Sequence, residues 1–106
     1  MSGFIMVYVT TASKTEAEKI AQTLLEEHLI ACANILGPVS SHFHWKDKID
    51  STEEFLMIMK SRVDLFAVLE QRIRALHTYE VPEILAVPIV EGSKGYFDWM
   101  NSALTH

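Results

Sequence analysis

The stretch His77-Thr78-Tyr79-Glu80-Val81-Pro82-Glu83 crowds an imidazole, a phenol and two carboxylates into one short segment. An imidazole lone pair with an oxygen from Glu80 or Glu83 is a donor set for a soft-to-borderline divalent ion. Mg²⁺, which prefers all-oxygen shells, fits it less well. The plainer reading is that Tyr79 and Glu80 bond to backbone or to a neighbouring copy and fix a loop. His42 and His44 are a second pair, at i and i+2, and so share one face of a strand. Two imidazoles can bracket Cu²⁺, Ni²⁺ or Zn²⁺, but the sequence offers no evident third or fourth ligand. A polar strand face is the alternative there.

Other reactive side chains read as structural. Cys32 sits between Ala31 and Ala33, where a cysteine acts as a small hydrophobe. It is the single cysteine, so neither an internal disulfide nor a C-x-x-C redox pair exists. His28 falls late in a helix, where a cation suits the dipole. Lys60, Arg62, Arg72 and Arg74 could build an anion pocket with another copy, although ion pairs with the many glutamates explain them as well. Glu53 and Glu54 are adjacent in a strand and point to opposite faces, which makes a poor acid/base pair. No G-x-G-x-x-G, Walker A or H-E-x-x-H motif occurs, and no nucleophile is paired with a base. The chain reads as non-enzymatic, with no catalytic residue and no organic cofactor.

The elements that must position these groups follow from periodicity. Phe4 to Val9 is β-branched and aromatic, a strand covered on both faces. Ser13 and Glu16 match a capping box, opening a helix from Lys14 to about His28. Its apolar stripe is Ala17, Ile20, Ala21, Leu24 and Leu25. Leu29 to Leu36 is a second strand, punctuated by Gly37-Pro38. Val39 to Trp45 and Ser51 to Lys60 form a long hairpin with Lys46 to Asp50 as its polar tip. In its first strand Val39, Ser41, Phe43 and Trp45 lie on one side, with Ser40, His42 and His44 on the other. A helix begins near Val63-Asp64, with Leu65, Val68, Leu69, Ile73 and Leu76 on its stripe. Ile84 to Val90 is a strand that Pro88 marks as an edge, a bulge or an end. A short helix follows, with Tyr96, Trp99, Met100 and Leu104 on its apolar side.

The order β-α-β-β-α-β plus a helix predicts an α/β (α+β) ferredoxin-like sandwich, with residues 1–106 as one domain. The length of 106 residues is too short for two independent cores. Both helices fall on one sheet face, which leaves the other for assembly with further copies. The formal net charge of −5 argues against a nucleic-acid surface. No apolar run is long enough to span a membrane, and the N-terminus reads as a strand rather than a signal. The cytoplasm is the expected compartment.

Several runs resemble the CutA family of divalent-cation-tolerance proteins. Ala31-Cys32-Ala33-Asn34-Ile35 resembles the family's ACANI run, and Trp45-Lys46 with Lys48-Ile49 its W-x-G-K-I hairpin. Glu54 and Lys60 match the glutamate and lysine of the next strand. His77 to Ile84 is similar to H-P-Y-E-V-P-E-I, including Tyr79 and Pro82, and Tyr96 with Trp99 to Y-x-x-W. The likeness runs from about residue 4 to residue 104. Two positions depart from it: Thr78 replaces the proline after the histidine, and Asp47 replaces the hairpin glycine.

The resemblance implies a compact homotrimer with the architecture of the nitrogen-regulatory PII proteins, its long hairpins reaching across to neighbours. It implies a link to tolerance of divalent metals, Cu²⁺ foremost. Copper in some members is tied to a first-strand cysteine and paired histidines, at positions matched here by Val9, Leu76 and His77. Only His77 keeps a ligand there, so metal must lean on His77, Glu80 or the His42/His44 face. Trp45, Glu54, Lys60, Tyr79, Pro82, Tyr96 and Trp99 are then cleft or structural residues between copies. A sensor that binds a small anion or metabolite in those clefts, or a rigid scaffold, are the competing expectations.

Overall fold

The computed structural model describes residues 2–105. The elements are β1 (Phe4–Thr11), α1 (Lys14–Glu26), β2 (Cys32–Trp45), β3 (Lys48–Arg62), α2 (Phe66–Leu76, entered through a 3-10 turn at Val63–Leu65), β4 (Ile84–Pro88) and α3 (Lys94–Ala103). The four strands form one sheet in the order β2-β3-β1-β4, and every neighbouring pair is antiparallel. This is the ferredoxin-like order expected from the sequence, with α3 added.

Alternation along β1 builds the core. Ile5, Val7 and Val9 face α1 and α2, together with Met57 and Met59 of β3. Ala17, Ile20, Ala21 and Leu24 of α1 meet Leu69 and Ile73 of α2 over them. Ser13 caps α1 by accepting the Glu16 amide at 3.1 Å, half of the capping box read from the sequence; the Glu16 carboxylate turns back to the Ala12 amide rather than to that of Ser13. The other sheet face is covered at one end only, where Phe97 of α3 stacks on Phe4 at 4.4 Å and Met100 and Leu104 close over Ala31. Beyond that end Met6, Tyr8, Leu56 and Ile58 stay half-buried, and Leu36, Leu85 and Val87 are exposed.

Several boundaries differ from the sequence reading. α1 stops at Glu26, because His28 turns left-handed at φ 59 and its ring bonds to the Ala103 carbonyl. Leu25 therefore leaves the stripe and is exposed, as is Val68 of α2. On α3 the inward positions are Phe97, Met100 and Leu104, spaced by one helical turn, so Tyr96 and Trp99 point outward. Gly37-Pro38 does not end a strand. It makes a bulge within β2, between the pairs Leu36↔Leu56 and Val39↔Glu54. A Cβ at Gly37 would meet the Phe55 ring at 2.5 Å, so glycine fits this close approach. Past the bulge, β2 and β3 pair only with each other, as a two-stranded arm.

Candidate functional site

Glu16 organises the loop that follows α2. Its carboxylate accepts the amides of Ala12 at 3.2 Å and Thr78 at 2.8 Å, and it lies 3.5 Å from His77 Nδ1. Burial opposes ionisation of Glu16. The Thr78 donors and the Ala12 amide outweigh it and hold the carboxyl below its usual range.

His77 is the C-cap of α2, and its side chain is sealed from solvent. Nε2–H donates to the Thr10 carbonyl at 2.7 Å, and Nδ1 accepts the Tyr79 amide at 3.0 Å. With the amide as an obligatory donor, the ring is the Nε2–H tautomer. Both nitrogens are spent, so neither offers a lone pair to a metal. The sequence treated His77 as the anchor of a metal site; the ring instead ties the loop to the end of β1.

Tyr79 packs against that ring at 4.7 Å, and its hydroxyl donates to Glu54 Oε2 at 2.8 Å. Burial, then the Glu54 carboxylate, pushes the phenol from 10.0 up to about 12. The Tyr79–Glu54 bond joins the loop to the root of the arm. Between them opens a cleft of about 750 Å³, walled by Phe43, Trp45, Tyr79 and Pro82. Asp50, Glu54, Glu80 and Glu83 also line it, and no basic residue does.

The remaining expected site residues lie elsewhere. His42 and His44 pair with Ser51 and Ile49, on the arm face opposite Phe43 and Trp45. They do not reach the cleft that Glu80 lines, and His42 bonds to Ser40 at 3.1 Å. Lys60 is six residues from Glu54 along β3, roughly 20 Å. Its ammonium donates to Asn34 at 3.0 Å and lies 5.7 Å from the Tyr96 ring centre, with Tyr96 against Trp99 at 5.3 Å. Arg62 bonds to Asp64, Asn101 and Thr105, Arg72 to Glu27, and Arg74 to Glu70. Those cations are committed to local partners rather than to an anion pocket.

The expected metal donors are thus dispersed: one spent, one in the cleft, two on the far face of the arm. Among the described residues no group of three or more His, Cys, Asp or Glu converges on one point. The described residues of one chain do not by themselves compose a site for a resident divalent ion. Val9, which the resemblance matched to a first-strand cysteine of some members, is a fully buried core residue. Sequence reasoning missed Thr10, Phe43, Asp50 and Thr52 as cleft residues. Strand alternation carried forward from Glu54 would have found Asp50 and Thr52.

Comparison with known proteins agrees with the motifs. Residues 5–103 match the family model for CutA1 divalent ion tolerance protein. The divalent-cation tolerance protein CutA of Archaeoglobus fulgidus is 43% identical over 98 residues, covering 92% of this chain and 95% of that protein. The Thermus thermophilus protein of the same name is 40% identical over 96 residues, covering 91% and 93%. The solved structure of the Thermus protein superposes with a TM-score of 0.94 at 37% identity, covering 96% of this chain and 99% of that one. With almost the whole chain matched in sequence and fold, the protein belongs to the CutA1 divalent ion tolerance family.

Proposed function

We propose that the chain serves divalent-cation tolerance as a cytoplasmic homotrimer, in which Cu²⁺ or another divalent ion is held by donors from more than one copy. Membership in the family gives the general role, and the family is non-catalytic. The observation that carries the assembly is the open sheet face. Leu36 (45% exposed), Leu85 (59%) and Val87 (39%) flank half-buried Met6, Tyr8, Leu56 and Ile58 across all four strands. A contiguous apolar surface of this kind marks an interface. The arm supports the same reading, since a two-stranded ribbon is marginal in water until it packs on something. No described helix is long and apolar enough to cross a membrane.

The dispersal of donors within one chain favours coordination between copies over coordination within one. Glu80 and the exposed His42/His44 pair, whose His42 bonds only to the neighbouring Ser40 hydroxyl, are the donors to bring together. The anion-sensor reading is weaker, because the cleft carries four carboxylates and Lys60, Arg62 and Arg72 are engaged elsewhere.

Light scattering at micromolar concentration tests the assembly. A particle near three times 12.0 kDa is expected, and a stable particle of 12.0 kDa would overturn it. Titration calorimetry with Cu²⁺ and Zn²⁺ tests the metal, comparing wild type with E80Q and with H42A/H44A. Stoichiometric binding weakened in either variant supports coordination between copies; weak, nonstoichiometric heat sinks it.

A further inference from the structure

The cleft beside Tyr79 has a lining that metal tolerance does not explain. Its walls are aromatic, its charges are negative, and its volume of about 750 Å³ suits a small molecule rather than a bare ion. We propose that it binds a small organic cation, an ammonium or guanidinium group seated against Trp45 and Tyr79 and held by Glu54. This goes beyond the assembly reading and rests on it only in that the cleft must stay open between copies.

Three features select that class of ligand. Aromatic faces attract cations through the ring quadrupole, and more strongly when water is excluded. Trp45 and Phe43 are exposed, and the Lys46 ammonium already lies 5.9 Å from the Trp45 ring centre, a cation on this ring that a ligand would join or displace. Glu54 supplies the anchor: it is 8% exposed, and only Oε2 is taken, by the Tyr79 hydroxyl. Among the described residues nothing donates to Oε1, and no sealed side-chain oxygen lacks a partner. Oε1 therefore opens into the cleft that Glu54 lines. A carboxylate so placed accepts from an ammonium or forks with a guanidinium. Glu80 and Glu83 add negative potential at the rim. An anionic metabolite would meet four carboxylates, and a divalent ion would find aromatic walls where it needs oxygen or nitrogen donors.

The test is a protein-observed NMR titration of the full chain in excess chelator, so that no divalent ion takes part. Tetramethylammonium and agmatine are the cationic probes, and tert-butyl alcohol is a neutral control of similar bulk. The Trp45 indole resonance, assigned with W45F, is expected to move saturably with at least one cation and not with the alcohol. E54Q should weaken binding about tenfold. Should E54Q fail to fold, the exposed pair E80Q/E83Q should still weaken it about threefold. Absence of saturation, an equal response to tert-butyl alcohol, or unchanged affinity in the folded variants overturns the proposal. Light scattering on the same samples separates the two readings. A trimer that binds no cation, its cleft filled by a neighbour's basic side chain, overturns this inference alone. A monomer that binds supports it and overturns the assembly.

Discussion

The carboxylate of Glu16 accepts the amide of Thr78 at 2.8 Å, so the first turn of α1 holds the loop that leaves α2. The residue at position 78 is where this chain departs from its family's H-P-Y pattern. A proline has no N–H to give.

Thr78→Pro is therefore a sharp test of that bond. His77 at φ −81 and ψ 146 already has the extended backbone that precedes proline without clash. Two terms oppose each other: a lost bond to a charged acceptor, about 1.5–3 kcal/mol, and reduced freedom of the unfolded chain, about 0.4–1 kcal/mol. The bond should win, with a net loss of about 1 kcal/mol by urea denaturation. The pH dependence has a defined sign. Glu16 titrates lower folded than unfolded, so its stabilisation is full above its ordinary value of 4.5 and is lost as pH falls through the folded value. In T78P that acid-side loss should begin at higher pH, read by carboxyl NMR titration of Glu16.

Tyr79→Phe removes the hydroxyl that joins the loop to the arm. In wild type the phenol is raised to about 12, so what it adds to stability is present below 10.0 and lost as pH rises through about 12. Ultraviolet titration of the three tyrosines should show the most alkaline step, and Y79F should lack it. If Y79F keeps that step, the step does not belong to Tyr79.

Asp47 stands where the family pattern has its hairpin glycine. Lys46 and Asp47, at φ 50 and 64, make a two-residue turn that closes the pair Trp45↔Lys48. Both central residues have the positive φ that a primed hairpin turn requires. Asp tolerates that region but glycine does so without steric cost. Asp47→Gly should raise stability by up to about 1 kcal/mol and slow amide exchange at the tip. Unchanged or faster exchange would contradict this geometry.

Leu85→Glu places a charge on the open sheet face, at its β4 edge. Leu85 is exposed in the single chain, so the fold should survive, with an unaltered far-ultraviolet circular dichroism spectrum. The assembly should fall to 12.0 kDa by sedimentation equilibrium. A trimer that persists in L85E would place the interface elsewhere.

The elements were legible wherever a period was strong. The alternation of β1, the capping box at Ser13 and Glu16, and the break at Pro82 each led to the right element. The failures share one cause, which is contact between residues far apart in sequence. Nothing near His28 says that the Ala103 carbonyl will accept from its ring and that α1 will end early. Nothing near His77 says that Thr10 and Tyr79 will consume both nitrogens. An imidazole beside two glutamates reads as a ligand until the fold supplies its neighbours. The cleft was only half legible: Trp45, Glu54 and Tyr79 were singled out, while the side of the arm that faces the loop was set by the bulge.

That bulge fixes a parity. Leu36 pairs with Leu56 and Val39 with Glu54, so β2 spends one residue more than β3 in crossing it. Every later side chain of β2 is thereby assigned to the opposite surface from the one an unbroken ladder would give. Phe43 and Trp45 fall beside Glu54, and the two imidazoles fall outside. Deleting Pro38 would remove the bulge yet keep the pair Val39↔Glu54 and every pair beyond it, whereas drawing Pro38 into the ladder opposite Glu54 would exchange the two sets and turn an aromatic cleft into a histidine-lined one. Whether one residue stands in or out of the ladder, with no side chain altered, thus decides which chemistry the arm presents.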